Sequence, residues 1–341
     1  MENNNNSIVQ TKSELLFLYE SIYNIPNGDP FTGEQRYDEE TKKILVSDVR
    51  IKRYIRDYLF ERKYPIYVVS NKESIDLDGE GSEAARRFKK LQQTFKNLTE
   101  PEKILLQCID VRLFGGIVTI KKAKGKKKAE PSSDEEDAAA FNLTGPVQFA
   151  LLNPSLNEVE LRIHQNTSVF SSSEEKKQGA IGTTTVVPYA INQIHGWINS
   201  YSAKYTNLSD TDVNIMFKAL WESINNVNTR TKANQNSLLL LQIIYSEPNK
   251  KLYGLDRLIK INTKINDEVE KKGEQLRSLE DFKFDFSGLF SIANNDIVQE
   301  IRYYTESSKI KKSLIQRQKK EKSKFKELKL SEINFDGEAK K

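Results

Sequence analysis

Four basic residues fall within one short stretch of the chain, at Arg50, Lys52, Arg53 and Arg56. Residues three or four apart share one side of an α-helix, so a helix here would present these cations together. Cations that are held side by side suit a polyanion such as a nucleic acid. The alternative is a solvated surface, because basic residues on a helix face commonly have no ligand.

The residues around these cations predict a helix with one apolar side. The apolar positions that recur at helical spacing are Ile51, Tyr54, Ile55, Tyr58 and Leu59. Ser47 is suited to cap this helix, and Asp48 suits its positive N-terminus. Asp57 is the acidic residue that we expect beside the cations, so the pattern does not predict a face of mixed sign.

A turn precedes this helix, over Asn24–Pro30. Its two prolines fix φ, while Asn27, Gly28 and Asp29 accept left-handed conformations and offer local hydrogen bonds. The turn follows an apolar run, Leu15–Ile22, that predicts a buried strand.

Composition limits the classes of protein and of site. The chain has 341 residues, 37% of them hydrophobic, and no run approaches the ~20 apolar residues that span a bilayer. Cys108 is the single cysteine, and His164 and His195 are the only histidines, which argues against a disulfide, a zinc cluster or a histidine-rich metal site. No secretory signal is present at the N-terminus. We therefore expect a cytoplasmic protein with no cofactor, no bound metal and no membrane partner.

The net charge of +5 is unevenly distributed. Ten lysines or arginines lie between Lys309 and Lys329, against Glu321 and Glu327, whereas residues 1–308 sum to about −2. This difference predicts a nearly neutral body over 1–308 and a basic C-terminal tail over 309–341. A nucleic-acid surface on the body must then come from local patches.

The order of elements predicts an α+β fold. After the strand and the basic helix come further strands, a helix over Ser209–Val227 that opens with a capping box at Ser209 and Asp212, and a buried strand over Ser237–Tyr245. This β-α-β-β-α-β order is that of the ferredoxin-like fold, with large inserts. RNA-recognition domains of this type meet RNA with the sheet and its loops. Near the C-terminus the pattern predicts helices at Thr263–Leu276 and Ile297–Tyr304.

Two inserted segments have features of their own. Asp110–Ile120 predicts a strand, and its glycine pair, Gly115 and Gly116, indicates either a bend or a close approach of another backbone. Asn153–Thr185 is too long for a passive connection. It predicts a projecting β-hairpin with arms at 158–170 and 179–187.

Four stretches occur together and in order: the Asn24–Pro30 turn, V-S-D-V-R-I-K-R-Y-I-R-D-Y (46–58), D-V-R-L-F-G-G (110–116) and L-T-G-P-V-Q-F (143–149). With them the chain resembles the crRNA-backbone subunit of type I-B CRISPR effector complexes (Cascade), the seventh family of CRISPR-associated proteins within the RAMP superfamily. The resemblance implies a modified RNA-recognition palm with fingers over about 60–140 and a hairpin thumb over about 153–187.

The resemblance also implies a non-catalytic function. Copies of the subunit would stack along the guide RNA and present it for pairing with a target DNA strand. The other partners implied are the large subunit, the subunit that binds the 5′ handle and the repeat-processing nuclease. Residues implied to contact RNA are Asn27, Gly28, Arg50, Lys52, Arg53, Arg56, Arg112, Gly115, Gly116, His164, Gln165, Asn166, Val169, Phe170, Lys176 and Lys177.

Three alternatives stay open at this point. A repeat-processing endoribonuclease of the same superfamily would use His164 as general acid or base, although no glycine-rich loop near the C-terminus accompanies it. Metal-dependent RNA cleavage would use Asp29, which is equally suited to a turn. A single-strand RNA-binding protein that does not assemble is the third.

Overall fold

A computed structural model describes residues 7–69, 82–121, 138–167, 181–264, 269–293, 296–321 and 328–335. It is a mixed α+β structure. The strands are β1 (Ser13–Asn24), β2 (Tyr37–Asp38), β3 (Lys43–Ser47), β4 (Gly115–Lys121), β5 (Ala138–Thr144), β6 (Val147–Phe149), β7 (Leu152–Pro154), β8 (Arg162–Thr167), β9 (Ile181–Ile198), β10 (Gln235–Tyr245), β11 (Lys260–Asn262), β12 (Lys283–Asp285), β13 (Val298–Tyr304) and β14 (Lys329–Glu332). The helices are α1 (Asp48–Glu61), α2 (Glu83–Thr94), α3 (Pro101–Leu105), α4 (Ile109–Phe114), α5 (Ser200–Thr206), α6 (Asp210–Asn226), α7 (Ser287–Ala293) and α8 (Ser308–Glu321).

The main sheet has the order β14-β13-β10-β1-β9-β6. Strand β1 lies at its centre and pairs antiparallel with β9 on one side and with β10 on the other. β6 pairs antiparallel with β9, and β13 with β10. The two helices α1 and α6 follow β1 and precede β10, respectively, and contact each other.

Both faces of this sheet are covered. Alternate residues of β1 point to opposite sides: Leu15, Phe17 and Tyr19 pack in a core with α1 and α6, whereas Leu16 and Leu18 pack in a second core. The second core is completed by residues between Leu252 and Leu314. Because that face is occupied, it is not open to RNA as in RNA-recognition domains, and loops and edges are left as candidate surfaces.

The inserted segment after α1 has a small core of its own. Tyr67, Phe88, Leu91, Ile104, Leu105, Cys108 and Val111 are buried together there. Residues 64–69, which follow α1, have no regular structure, although their backbone is held by hydrogen bonds described below.

Strand β9 is long enough to serve two purposes. Its C-terminal half pairs with β1 in the main sheet, while residues 181–186 pair antiparallel with β8, in the register Arg162↔Val186 to Thr167↔Ile181. Ile163 and His164 point to opposite faces of this pair, and both are exposed. The β8–β9 hairpin therefore projects from the sheet. Most of the remaining predicted thumb, residues 168–180, lies outside the described residues.

Three expectations for the C-terminal region are wrong. Val298–Tyr304, expected to be helical, is strand β13, in which buried and less buried residues alternate. Within 263–276 the described residues form only a 3-10 turn at Gly273–Gln275. The described parts of the predicted tail, residues 309–321 and 328–335, are not separate from the body, because α8 buries Ile310 and Leu314 in the second core and β14 pairs parallel with β13.

None of the helices in the described ranges combines the length and apolar character that crossing a bilayer requires.

Candidate nucleic-acid interface

Helix α1 forms as its sequence predicts. Ile51, Tyr54, Ile55, Tyr58 and Leu59 are its buried residues, and the Ser47 side chain caps it by accepting from the Arg50 amide. The apolar stripe fixes α1 to the main core, so the basic side chains are directed away from it.

The turn before α1 is fixed to the start of this helix by Asn27. The buried Asn27 side chain accepts from both the amide and the hydroxyl of Ser47, at 2.7 and 2.8 Å, and the Asn27 backbone amide donates to the Gln35 side-chain oxygen. A Cβ at Gly28 would lie 3.1 Å from the Gly33 carbonyl oxygen, so the turn is also tight. Asn27 and Gly28 therefore hold the shape of this turn, and the Asn27 side chain is directed at the protein's own groups.

Three of the four predicted cations on α1 have a carboxylate partner. Lys52 pairs with Asp48 at 3.0 Å and Arg53 with Asp57 at 2.6 Å, each one helical turn away. The Arg56 guanidinium pairs at 3.1 Å with Asp110, which is 0% exposed. The expectation that this face lacks mixed charge is thus wrong, since Asp48 and Asp110 neutralise it in addition to Asp57.

Asp110 is the more informative of these partners. Its carboxylate also accepts from the backbone amides of Tyr67 and Val68, at 2.8 and 3.0 Å. These bonds hold the irregular segment after α1 against α4, and Arg56 supplies the positive charge that a buried carboxylate requires. Arg56 therefore has a structural role in the free chain.

Arg112 has the same kind of role. Its Nε and Nη2 bind both oxygens of Asp212, at 2.9 and 2.7 Å, and its Nη1 donates to the carbonyls of Leu106 and Gln107. Asp212 belongs to the capping box of α6, which forms as predicted. Arg112 thus joins α4 to the start of α6, and nearly all of its donors are used within the chain.

The glycine pair meets another backbone, but it is the protein's own. Residues 109–114 are helical, not extended, and α4 ends at Gly115, which has a φ of +78°. A Cβ at Gly115 would lie 2.0 Å from the Leu143 carbonyl oxygen, whereas one at Gly116 would have no neighbour closer than 3.6 Å. The close approach that the sequence indicated is therefore made by β5 and the residue after it.

Arg50 differs from the other cations of α1. Its guanidinium carbon lies 3.9 Å from the centre of the Tyr54 ring, and its Nε is buried with no hydrogen-bond partner. Within the described residues it makes no ion pair.

The structure brings Lys232 to the same place, which sequence reasoning missed. Lys232 lies between α6 and β10, and its Nζ donates to the Ile25 carbonyl and, at 3.3 Å, to the Thr231 hydroxyl. Burial, and then the positive charge of Arg50, lowers the pKa of Lys232 to about 8. One signal was available in the sequence: residues 223–246 contain Arg230 and Lys232 but no acidic residue.

The remaining predicted residues are not brought to this site. His164 and Gln165 are exposed on β8 of the hairpin. Asn166 pairs with Gly182 in the same hairpin, and its side chain is not described. Val169, Phe170, Lys176 and Lys177 lie outside the described residues.

The acidic alternative site, Asp29, is a turn residue. Its Oδ1 accepts from the amides of Phe31 and Thr32, and Arg36 lies 3.4 Å away. The Phe31 amide above all, with the Thr32 amide and Arg36, holds the pKa of this carboxyl below its usual value against an opposing effect of desolvation. Among the described residues there is no cluster of three or more His, Cys, Asp or Glu suited to a metal ion.

Comparison with known proteins identifies the family. The family model for CRISPR-associated protein Cas7 matches residues 11–287. A curated relative from Haloferax volcanii, also described as CRISPR-associated protein Cas7, is 30% identical over 291 residues, which cover 82% of this chain and 81% of the relative. The chain belongs to the Cas7 family.

The Cas7 match includes the turn, α1 and Lys232, and it ends before β13, α8 and β14. Two similar solved structures are titled "CRISPR RNA-guided surveillance complex", with a TM-score of 0.44 and 14% identity, and "CRISPR RNA-guided surveillance complex, pre-nicking", with 0.47 and 16%. Each similarity covers 88% of this chain, and 90% and 92% of the respective structure.

Proposed function

We propose that this Cas7-family chain binds CRISPR guide RNA as a repeating backbone subunit of a type I surveillance complex, of which type I-B is the subtype that its motifs favour. Copies of the chain polymerise along the guide and present it for pairing with a target DNA strand. The large subunit, the subunit that binds the 5′ handle and the repeat-processing nuclease complete the assembly. The observation that carries this proposal is the family match over residues 11–287.

The order of the sheet supports a ferredoxin-like palm. Strands β10, β1, β9 and β6 are neighbours, all antiparallel, with α1 between β1 and β6 along the chain and α6 between β9 and β10. This is the connectivity of the β-α-β-β-α-β unit, in which β14 and β13 extend one edge. The separately packed segment with α2, α3 and α4 corresponds to the fingers of the proposal, and the β8–β9 hairpin to the base of its thumb.

The projecting hairpin supports assembly over isolated RNA binding. An exposed hairpin with Ile163 73% accessible gains contacts only from something outside the chain. In the proposed assembly, that contact is made with a neighbouring copy and its RNA.

We also propose that the chain is not a nuclease. Asp29 is engaged by its own turn, and His164 lies exposed on a strand. Asp29→Ala and His164→Ala should leave the length distribution of bound RNA unchanged, with or without divalent metal. Metal-dependent shortening that is lost in Asp29→Ala would favour the cleaving alternative instead.

The test of the main proposal is co-expression of the chain with a CRISPR array, followed by sequencing of the RNA that co-purifies. We expect spacers flanked by repeat sequence. A transcript of equal length without repeats is the matched control and should not be enriched. Heterogeneous host RNA in both cases would contradict a guide-binding role and favour the non-assembling RNA-binding protein.

A further inference from the structure

Two cations lie where three segments meet: the 24–28 turn, the first turns of α1, and the 229–235 loop. Arg50 reaches the site from α1, and Lys232 from the loop. The Arg50 guanidinium lies on the Tyr54 ring, and Gln235 joins the Tyr54 hydroxyl to the Lys232 carbonyl, so the two residues belong to one cluster. In keeping with this, the positive charge of Arg50 contributes, after burial, to the lowered pKa of Lys232.

Neither cation has a counter-charge. Within the described residues, Arg50 and Lys232 form no ion pair, unlike Lys52, Arg53 and Arg56 on the same helix. The buried Nε of Arg50 also lacks an acceptor. Partly buried like charges, one of them with an unsatisfied donor, destabilise the free chain unless an anion is bound.

The surroundings hold both side chains in place. Ile25 donates its amide to the Thr231 carbonyl at 2.9 Å, and Gln235 joins the Tyr54 hydroxyl to the Lys232 carbonyl, at 3.1 and 2.8 Å. The Arg50 guanidinium packs on the face of the Tyr54 ring. A site that is fixed before its ligand arrives loses little conformational entropy on binding.

We propose that Arg50 and Lys232 together bind one phosphate of the single-stranded RNA, as a built subsite, while the paired cations of α1 support the fold. The guanidinium offers a planar set of donors to two phosphate oxygens, and the ammonium adds a compact charge with one free proton. Because both groups recognise phosphate and not bases, the contact is independent of sequence. The choice of RNA as the polyanion rests on the proposed function; the anion subsite rests on the geometry.

The salt dependence of RNA binding tests this subsite. For the full chain and a fluorescent oligouridylate, log Kobs against log salt should change by about 0.7 for each phosphate contact on a single strand. We expect the double variant, Arg50→Gln with Lys232→Gln, to reduce the slope by about 0.7, because the two residues share one phosphate. Each single variant should weaken RNA binding. Lys103→Gln, which removes an exposed lysine paired with Glu100 at 2.7 Å, is the matched control.

A second measurement does not depend on substitution. An unpaired lysine with a lowered pKa reacts readily with acylating reagents near pH 8, so Lys232 should be labelled in the free chain and protected by RNA, as seen by mass spectrometry. Equal labelling with and without RNA would overturn the proposal. So would an unchanged slope in a double variant that melts like the wild type.

The two proposals fail in different ways. If the double variant keeps its salt slope and still co-purifies with repeat-flanked spacers, the subsite is wrong and the guide-binding function stands. If the wild type carries only host RNA but the double variant shows the reduced slope, the subsite stands as part of a general RNA-binding protein. A wild-type chain that binds no RNA at all overturns both.

Discussion

The basic residues of this chain form two groups that look alike in the sequence. Lys52, Arg53, Arg56 and Arg112 each have a carboxylate within 3.1 Å, whereas Arg50 and Lys232 have none among the described residues. In the first group, Arg56 and Arg112 join separate elements of the fold, while Lys52 and Arg53 pair with carboxylates of α1 itself. The second group makes no ion pair within the described ranges. Exposure of a basic side chain on a helix therefore does not identify it as a residue that binds phosphate. The absence of a nearby carboxylate partner is the better criterion for such a residue.

The cost of releasing a paired cation explains this difference. For Arg56 to bind RNA, it would have to leave Asp110 buried without a counter-charge, and breaking such a pair costs about 3–5 kcal/mol. A phosphate contact has to exceed that cost before it contributes any affinity. Arg50 gives up no ion pair.

The largest expected effect is on stability, from Arg112→Ala. Removal of the guanidinium leaves Asp212 nearly buried and unpaired at the start of α6, so we expect a loss of about 3–5 kcal/mol in the free energy of unfolding, measured in urea. The double variant with Asp212→Asn should recover part of it. A loss below about 1 kcal/mol would show that the pair with Asp212 matters little for the fold and that Arg112 is available to bind RNA.

Gly115→Ala should have the next largest effect. Its φ of +78° and the contact with Leu143 make any side chain strained, at about 1–3 kcal/mol, while Gly116→Ala should be close to neutral. The matched pair can be compared by thermal melting. If Gly115→Ala melts normally but binds RNA more weakly, the glycine contacts RNA and not β5.

The pH dependence of RNA binding separates the two groups more finely. Because the pKa of Lys232 is lowered to about 8 in the free chain, and bound phosphate favours its charged form, affinity should fall as the pH rises from about 7 to 9. The charged group that acts on it is Arg50 of α1, and arginine side chains in general stay protonated in proteins. We expect a several-fold fall, about 1 kcal/mol, which Lys232→Gln should abolish. An equal fall of the affinity in that variant would show that a group other than Lys232 titrates in this pH range.

The smallest effect is expected from Arg53→Gln. Its pair with Asp57 is half exposed, and exposed pairs one helical turn apart contribute about 0.3–0.5 kcal/mol. We expect a stability change of that size and no change in the salt slope of RNA binding. A slope that falls by about 0.7 would show that this pair opens on binding and would move Arg53 into the second group.

Local patterns predicted α1 and α6 well, because their information lies within a few residues. The five buried positions of α1 and the capping box of α6 follow from helical spacing and from Ser209 with Asp212. The partners of Arg56 and Arg112 lie 54 and 100 residues away, and no local pattern specifies such contacts.

Short apolar segments were the least predictable. D-V-R-L-F is compatible with strand or helix, and the left-handed Gly115 that ends α4 decides in favour of the helix. Val298–Tyr304 is a strand because β10 offers it an edge to pair with, which its sequence alone does not reveal. Lys232 was missed for the same reason: its neighbours at the site, Ile25 and Arg50, come from distant parts of the chain.

The central position of β1 has a consequence for how the chain is made. This strand leaves the ribosome first, but its partners β9 and β10 are complete only at Ile198 and Tyr245. At a synthesis rate of about 5–20 residues per second, the two edges of β1 stay unpaired for roughly 10 to 40 s before β9 and β10 are complete. During that interval the nascent chain presents a long unpaired strand, which is a substrate for chaperones and for aggregation. Production of this protein should therefore respond to translation speed and to chaperone supply more strongly than its final stability suggests.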